Sequence, residues 1–305
     1  MNKKKIVTFL LVVFIYFIYT FYGEELGLVE EVVNNQNKVL DSEVINVSSS
    51  DKFQIRYLDV GQADSILICN NGEYMLIDAG NNVDGEKLVN YFKDLGISEF
   101  KYVIATHAHE DHIGGIDDVL NNFKVEKFFM PDVLTTTKTF EDVIDALEVN
   151  NMFYDVPSIG DEFDFVNSKF KVLSILNEED DLNDTSIVLR LVYGDTSFLF
   201  MGDASSKIEN NIINNGFDIR SDVLKVGHHG SEYSSMLSFL NKVKPKYSII
   251  SVGNDNSYGH PHSKALNNLK KVNSMVYRTD KDGTIIVESD GVNLDVSFSK
   301  TNLDG

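Results

Sequence analysis

The chain contains a single cysteine, Cys69, in 305 residues. One cysteine excludes an intramolecular disulfide, and it also excludes a structural zinc site of the Cys₄ or Cys₂His₂ type. Apolar residues make up 43% of the sequence, which is enough for a buried core in an ordinary globular domain. Any metal site must therefore be built from histidine and carboxylate side chains.

Basic residues are scarce as well. Lysine and arginine total 27 against 47 acidic residues, which gives a net charge near −20. A surface with this charge disfavours the electrostatic binding of a polyanion along its length. A nucleic-acid function would have to depend on a local site.

One uncharged segment, Ile6–Tyr22, follows three lysines at the N-terminus. It is short for a membrane span, and no small-residue cleavage site follows it. The positive flank predicts a signal anchor at residues 1–22, a flexible tether at 23–50 and a folded domain at 51–305 outside the cell. The predicted location is the cell membrane, with a secreted protein as the alternative. No protein partner is predicted.

Residues 51–305 alternate between apolar runs of strand length and segments with helical spacing. Strands are predicted at Phe53–Val60, Ser65–Cys69 and Tyr74–Ile77, and a buried strand at Tyr102–Thr106. Antiparallel strands in each half, with helices outside them, predict an α/β fold. We expect an αββα sandwich, in which two mixed β-sheets pack face to face and helices cover both outer faces.

The histidines are clustered in the sequence. Histidines that only pack the core or cover the surface would be scattered along the chain. All seven lie in three short segments, which contain His107, His109 and His112; His228 and His229; and His260 and His262. This clustering predicts a shared chemical task.

The first of these segments reads Thr-His-Ala-His-Glu-Asp-His over residues 106–112 and directly follows a predicted buried strand. Residues two apart in an extended segment point the same way, so His107 and His109 can bind one metal ion. The following turn carries Asp111 and His112 to a second ion. Imidazoles and carboxylates suit Zn²⁺ or Mn²⁺. A polar loop whose histidines cap the next helix is the alternative.

Further motifs occur along the chain. In order they are Tyr57-Leu58-Asp59-Val60-Gly61-Gln62-Ala63-Asp64-Ser65, Leu76-Ile77-Asp78-Ala79-Gly80, Asn183-Asp184-Thr185-Ser186, Gly202-Asp203-Ala204, Leu224-Lys225-Val226-Gly227-His228-His229-Gly230-Ser231 and Tyr258-Gly259-His260-Pro261-His262. With the HxHxDH segment they resemble the metallo-β-lactamase fold superfamily over about residues 52–290. The resemblance is to the C-terminal hydrolase domain of ComEC competence proteins and its free-standing relatives, and to the phosphorylcholine esterases of teichoic acid. It implies a hydrolase with two zinc ions, or with manganese as the alternative.

The resemblance also implies a set of ligands. His107 and His109 would bind the first metal, while Asp111 and His112 would bind the second. Asp203, at the end of an apolar strand, would bridge the two ions. Asp111 is also expected to act in catalysis.

The remaining motif residues receive roles around these ligands. One of His228 and His229 would complete the second metal; His229 is favoured, with His228 as a catalytic residue that contacts substrate or relays a proton, but the order stays open. His260 is expected to face the substrate or to protonate the leaving group, with packing of its turn as the alternative. His262 is expected to be structural. Asp78 is expected to orient ligand histidines.

One feature departs from the superfamily pattern. Many members supply a further histidine to the first metal, but residues 113–227 contain none. Asn183, Asp184 or a water molecule remain as substitutes. Asp64 is compatible with a function and equally with the chemistry of its turn.

These residues predict a metal-dependent hydrolase that activates water against a phosphodiester, in DNA or in a cell-envelope polymer. Two cations close together lower the pKa of a shared water and offset the charge that develops on a phosphoryl or carbonyl oxygen. Hydrolysis of a lactone, thioester or β-lactam is therefore the alternative activity. A non-catalytic binding module is a third possibility.

Overall fold

The computed structural model describes residues 53–177, 181–300 and 303, which form two packed β-sheets with helices outside them. The strands are β1 (Phe53–Tyr57), β2 (Ser65–Asn70), β3 (Glu73–Ala79), β4 (Glu99–Ile104), β5 (Lys124–Phe129), β6 (Tyr154–Asp155), β7 (Glu162–Phe165), β8 (Ser168–Ser174), β9 (Val188–Tyr193), β10 (Thr196–Phe200), β11 (Val223–Lys225), β12 (Tyr247–Ile250), β13 (Met275–Arg278), β14 (Thr284–Ser289) and β15 (Leu294–Ser299). The helices are α1 (Gly85–Asp94), α2 (Glu110–Ile113), α3 (Ile116–Asn122), α4 (Lys138–Val149), α5 (Ser206–Asn215), α6 (Leu237–Val243), α7 (Ser263–Lys271) and α8 (Thr279–Asp282). Short 3₁₀ turns lie at Asn82–Asp84, Leu182–Thr185 and Gly227–Gly230.

The first sheet has the strand order β15-β14-β1-β2-β3-β4-β5-β6. Its strands pair antiparallel up to β3, while β3, β4, β5 and β6 pair in parallel because helices connect them. The second sheet has the order β13-β12-β11-β10-β9-β8-β7, and β10 to β13 are parallel there. Each sheet therefore has parallel strands whose carboxyl ends share one edge.

The main core lies between the sheets. Buried and partly exposed residues alternate along β1, as the two-residue period of a strand requires. Its buried rings face the second sheet: Phe53 lies 5.3 Å from Phe198 and Tyr57 lies 6.4 Å from Phe200, between ring centroids. These aromatic contacts join the two inner faces.

Helices cover both outer faces. On the first sheet, Phe92 of α1 packs edge-on against Phe100 of β4, with ring centroids 5.4 Å apart. On the second sheet, Ile208 and Ile212 of α5 pack in a cluster with Leu199 of β10. The predicted αββα sandwich of two mixed sheets is confirmed.

Two details differ from the sequence prediction. β1 ends at Tyr57 rather than at residue 60 because the chain turns into β2, with the Leu58 N–H donating to the Ser65 carbonyl (2.9 Å). β5 was not predicted, since three of its six residues, Lys124, Glu126 and Lys127, are charged. The helices on either side place this strand beside β4.

No helix in the described part of the chain is long and apolar enough to cross a membrane. A span needs about 20 apolar residues in one helix, whereas α4 has 12 residues. This finding contradicts the predicted location in the cell membrane with an extracellular catalytic domain, and that prediction is withdrawn. The segments on which it was based, residues 1–22 and 23–50, lie outside the described residues, so the division of the chain into segments stays a prediction.

Candidate metal centre

The HxHxDH segment follows β4, and Asp78 lies near the end of its parallel neighbour β3. Asp78 is buried and has a left-handed backbone with φ of 58°, a conformation that costs free energy for a residue other than glycine. Its carboxylate accepts hydrogen bonds from the Thr106 N–H and hydroxyl (2.8 Å each) and from His112 Nδ1 (2.8 Å). Asp78 thereby fixes the orientation of the His112 ring, as carboxylates behind metal ligands do.

Two glycines hold this segment against the end of β3. The Gly114 N–H donates to the Gly80 carbonyl (2.9 Å), and the Gly115 N–H to the Ala79 carbonyl (3.2 Å). A Cβ atom at Gly114 would lie 2.1 Å from the carbonyl carbon of Asn81, and one at Gly115 would lie 2.6 Å from the Ala79 carbonyl oxygen. The approach of the two loops therefore requires glycine at both positions.

The second sheet contributes from three parallel strands. Asp203 follows β10, His229 follows β11 and His260 follows β12. Because the carboxyl ends of parallel strands meet at one edge, residues far apart in sequence converge there. The backbone N–H of Asp203 donates to the Ser186 hydroxyl (3.1 Å), which fixes the turn after β10.

His228 and His229 are adjacent in sequence. Neighbours at the end of a strand would point to opposite sides, but these two side chains do not. Both have left-handed backbone conformations, with φ of 51° for His228 and for His229. The resulting turn brings both rings to the carboxylate of Asp203, with Nε2–Oδ2 distances of 3.7 Å for His228 and 3.5 Å for His229. The side chain of His229 is 2% exposed and that of His228 is 25% exposed. This geometry favours His229 as the ligand and leaves His228 facing solvent.

We call the group Asp111, His112, Asp203 and His229 the second metal position. Its donor atoms all lie within 4.8 Å of one another. Within the described residues, His112 Nε2, His229 Nε2 and Asp203 Oδ1 are buried and have no hydrogen-bond partner. The other ring nitrogen of His229 donates to the Ser251 carbonyl (2.9 Å), which leaves Nε2 as the acceptor. Buried polar atoms without partners are costly, so this convergence fits a bound metal ion.

We call the group His107, His109 and Asn183 the first metal position. His107 Nε2 lies 3.0 Å from His109 Nδ1, and Asn183 Oδ1 lies 3.1 Å from the same His109 nitrogen. Asp184 is directed elsewhere, since its carboxylate accepts from the Ser205 N–H (3.3 Å) and lies 3.8 Å from Lys207 Nζ. Of the two protein substitutes expected from the sequence, the geometry therefore favours Asn183.

The electrostatics of the second metal position favour a cation. Burial raises the pKa of Asp203, but His229 and His112 lower it well below its usual range. Burial lowers the pKa of His229, but Asp203 and the nearby carboxylate of Asp111 raise it to about 9. The pKa of His112 is likewise raised well above its ordinary value by Asp203, Asp78 and Asp111, against the effect of burial. The carboxylates thus stabilise positive charge where the orphaned atoms converge.

A buried ion pair behind the centre has no clear counterpart in the sequence prediction. Lys225 Nζ lies 2.6 Å from Asp64 Oδ2, and both residues are buried. The other oxygen of Asp64 lies 3.5 Å from His229 Nδ1. The feature of the sequence that could have indicated this pair is Lys225 itself, which lies in the apolar run of β11. A buried charge at such a position needs a buried partner of opposite charge.

His260 lies at the outer side of the centre, with its ring centroid 5.4 Å from that of His228. Burial, together with His229 and His228, lowers the pKa of His260 to about 4, so its ring is neutral near pH 7. His262 instead joins two loops: its Nδ1 accepts from the Glu232 N–H (3.0 Å) and its own N–H donates to the Gly230 carbonyl (2.9 Å). Of the two histidines, His260 is the one that faces the centre.

The chain is similar to known proteins in sequence and in fold. The family model described as the metallo-beta-lactamase superfamily matches residues 58–254. Among solved structures, the metallo-beta-lactamase fold protein YhfI from Bacillus subtilis aligns with a TM-score of 0.55 and 13% identity. The alignment covers 78% of this chain and 100% of that one, and it supports the fold alone.

Two relatives are similar to this chain in sequence. ComE operon protein 3 of Bacillus subtilis is 32% identical over 255 residues, which are 77% of this chain and 33% of the relative. Recombination protein 2 of Haemophilus influenzae is 28% identical over 261 residues, which are 83% of this chain and 31% of the relative. The chain thus spans about a third of the length of these relatives.

The family match covers the HxHxDH segment, Asp203 and the histidine pair, and the described residues contain a candidate metal-ligand cluster. The fold and the homologues agree with this match. The chain therefore belongs to the metallo-beta-lactamase superfamily of hydrolases.

Proposed function

We propose that the protein is a metal-dependent phosphodiesterase that uses the first and second metal positions together. The observation that supports this most directly is the convergence of two donor sets: the carboxylate of Asp203 lies 3.4 Å from His112 and 3.5 Å from His229 in the second position. In the first position, His107 Nε2 lies 3.0 Å from His109 Nδ1. Two divalent ions, zinc or manganese, would activate a water molecule and offset charge on phosphoryl oxygens. The protein then has to orient the substrate and supply a proton.

The residues at the open side of the centre can orient the substrate and supply a proton. Asp111 has a 30% exposed side chain and lies 3.3 Å from His229, so it faces both the ligands and solvent. His228 also reaches solvent, and Asp203 holds its ring at the edge of the ligand cluster. We assign His228 to proton transfer or to a phosphoryl oxygen, and His260, which is neutral, to substrate contact.

A nucleic-acid phosphodiester is favoured over a cell-envelope polymer. The name of one relative, Recombination protein 2, is consistent with a DNA substrate. The net charge of −20 limits binding to a short segment rather than to a long polyanion.

The experiment is a substrate panel on the full chain with Zn²⁺ and with Mn²⁺. The panel contains bis-p-nitrophenyl phosphate, p-nitrophenyl phosphorylcholine, single-stranded DNA, a lactone and nitrocefin. We expect hydrolysis of the phosphodiesters that is lost in Asp203→Asn. Turnover of the lactone or nitrocefin without turnover of any phosphodiester would reject the proposal in favour of carbonyl hydrolysis.

A further inference from the structure

Three aromatic rings form a stack that runs from the metal centre to solvent. The rings of His229 and His260 have centroids 6.2 Å apart and an interplanar angle of 25°. The rings of His260 and Tyr258 follow at 5.7 Å and 21°. Exposure increases along this series, from buried His229 to Tyr258, which is 66% exposed. The ring of Tyr258 is nearly parallel to that of His260, so its outer face is turned away from the centre.

The loop that carries Tyr258 is fixed by one asparagine. The side chain of Asn256 accepts from the His260 N–H (2.9 Å) and donates to the carbonyls of His260 (2.7 Å) and Gly253 (3.0 Å). Gly259, between the two rings, has φ of 73°, which glycine adopts without strain. The tyrosine is therefore an exposed aromatic group on a braced loop, and an ordered ring loses little entropy when it binds a flat partner.

We propose that the outer face of Tyr258 stacks an unpaired nucleobase of the substrate, next to the phosphodiester that is cleaved. This inference rests on the proposed phosphodiesterase function and adds the group that the enzyme recognises. The stack leads inward from Tyr258 through His260 to His229, whose Nε2 is 3.5 Å from Asp203. A nucleotide whose base lies on Tyr258 thus extends its phosphate toward the ligands.

Charge explains why recognition uses a ring. A protein with a net charge of −20 gains little from the phosphate backbone of a single strand, whereas stacking does not depend on charge. A quaternary ammonium group also binds to aromatic faces, but such sites surround the cation with several rings. Tyr258 offers one open face, which suits a planar base.

The test compares two substrates that differ only in their bases. The first is the dinucleotide thymidylyl-thymidine, and the second is the same diester with both thymidines replaced by abasic tetrahydrofuran units. Stacking of one base changes affinity by roughly a factor of 5 to 100. We expect Tyr258→Leu to raise KM for the dinucleotide about 10-fold with little change in kcat, and to leave KM for the abasic diester unchanged.

Two variants serve as controls. Tyr258→Phe keeps the ring and should behave like the wild type. Phe153→Leu changes another aromatic side chain, 90% exposed beside β6, and should alter neither substrate. Metal content and the thermal unfolding midpoint of each variant show that the fold and the centre are retained.

The outcomes separate the inference from the proposed function. If Tyr258→Leu changes KM equally for both substrates, or changes neither, the base-stacking inference is overturned. Hydrolysis of both substrates by the wild type would still support the phosphodiesterase function. If the wild type hydrolyses neither, the proposed function fails, and calorimetric binding of the dinucleotide to the wild type and Tyr258→Leu still decides the stacking. A KM effect on glycerophosphocholine without one on the dinucleotide would assign the ring to a quaternary ammonium group instead.

Discussion

The first and second metal positions share one loop, but the groups behind their ligands differ in charge. Behind the second, the carboxylate of Asp78 contacts His112 Nδ1 at 2.8 Å. Behind the first, the described residues place two hydroxyl groups near His107 Nδ1, those of Thr106 at 3.1 Å and Ser186 at 3.4 Å. A carboxylate raises the basicity of the imidazole that it contacts more than a hydroxyl does. The comparison indicates a tightly held second ion and a more weakly held first ion.

Removal of the Asp203 carboxylate should weaken metal binding at both positions and so remove the difference in affinity between them. Asp203→Ala is expected to lower kcat/KM by more than about 100-fold, because Asp203 is a ligand of the second position and is expected to bridge to the first ion. The fold should survive, since the residue lies in a turn after β10. Turnover of bis-p-nitrophenyl phosphate measures the loss, and circular dichroism checks the fold. Activity above about a tenth of wild type would show that Asp203 does not bridge.

Neutralising the carboxylate behind His112 should weaken the second position alone. Asp78→Asn keeps the size of the side chain but removes its charge, and metal affinity there should fall by about 10- to 100-fold. Competition with a chromophoric chelator measures the two affinities separately. A fall confined to the weaker site would contradict the assignment of Asp78 to the second position.

The side-chain amide of Asn183 at the first position should determine how many metal ions remain bound after dialysis. The wild-type protein is expected to retain between one and two ions after dialysis, because its weaker site loses metal. Asn183→Ala should weaken that site about 10-fold and bring the content to one.

Elemental analysis gives the content, with Asp184→Asn as the matched control that should match wild type. Asp184 is adjacent in sequence but contacts Ser205 and Lys207 rather than the centre. Fewer than about 0.3 ions per chain in the wild type, even after reconstitution, would reject both positions.

The smallest effect is expected at His262. Its ring nitrogen binds the backbone N–H of Glu232, so His262→Ala removes one hydrogen bond and destabilises the fold by about 1 kcal/mol. Activity should stay within about threefold of wild type at saturating metal. Loss of either ion in this variant, measured by elemental analysis, would bring His262 into the centre.

The parts that the sequence predicted well depend on local spacing. The period-2 pattern of β1 and the helical spacing of α1 led to the two-sheet fold, and HxHxDH places four donors within six residues. The directions of His228 and His229 were beyond prediction because a left-handed backbone depends on packing around the turn. The choice of Asn183 over Asp184 likewise depends on which element each side chain meets across the fold.

The ion pair of Lys225 and Asp64 has a consequence for folding fidelity. It joins β11 of one sheet to the loop before β2 of the other, directly behind His229. A slip of β11 by one residue would send Lys225 to the opposite face and rotate the histidine turn away at the same time. Two buried charges would then lack partners, which costs about 3–5 kcal/mol for each broken pair. The native alignment of β11 thus pairs the lysine and assembles the ligands at the same time, so the penalty against this one-residue slip does not depend on a bound metal.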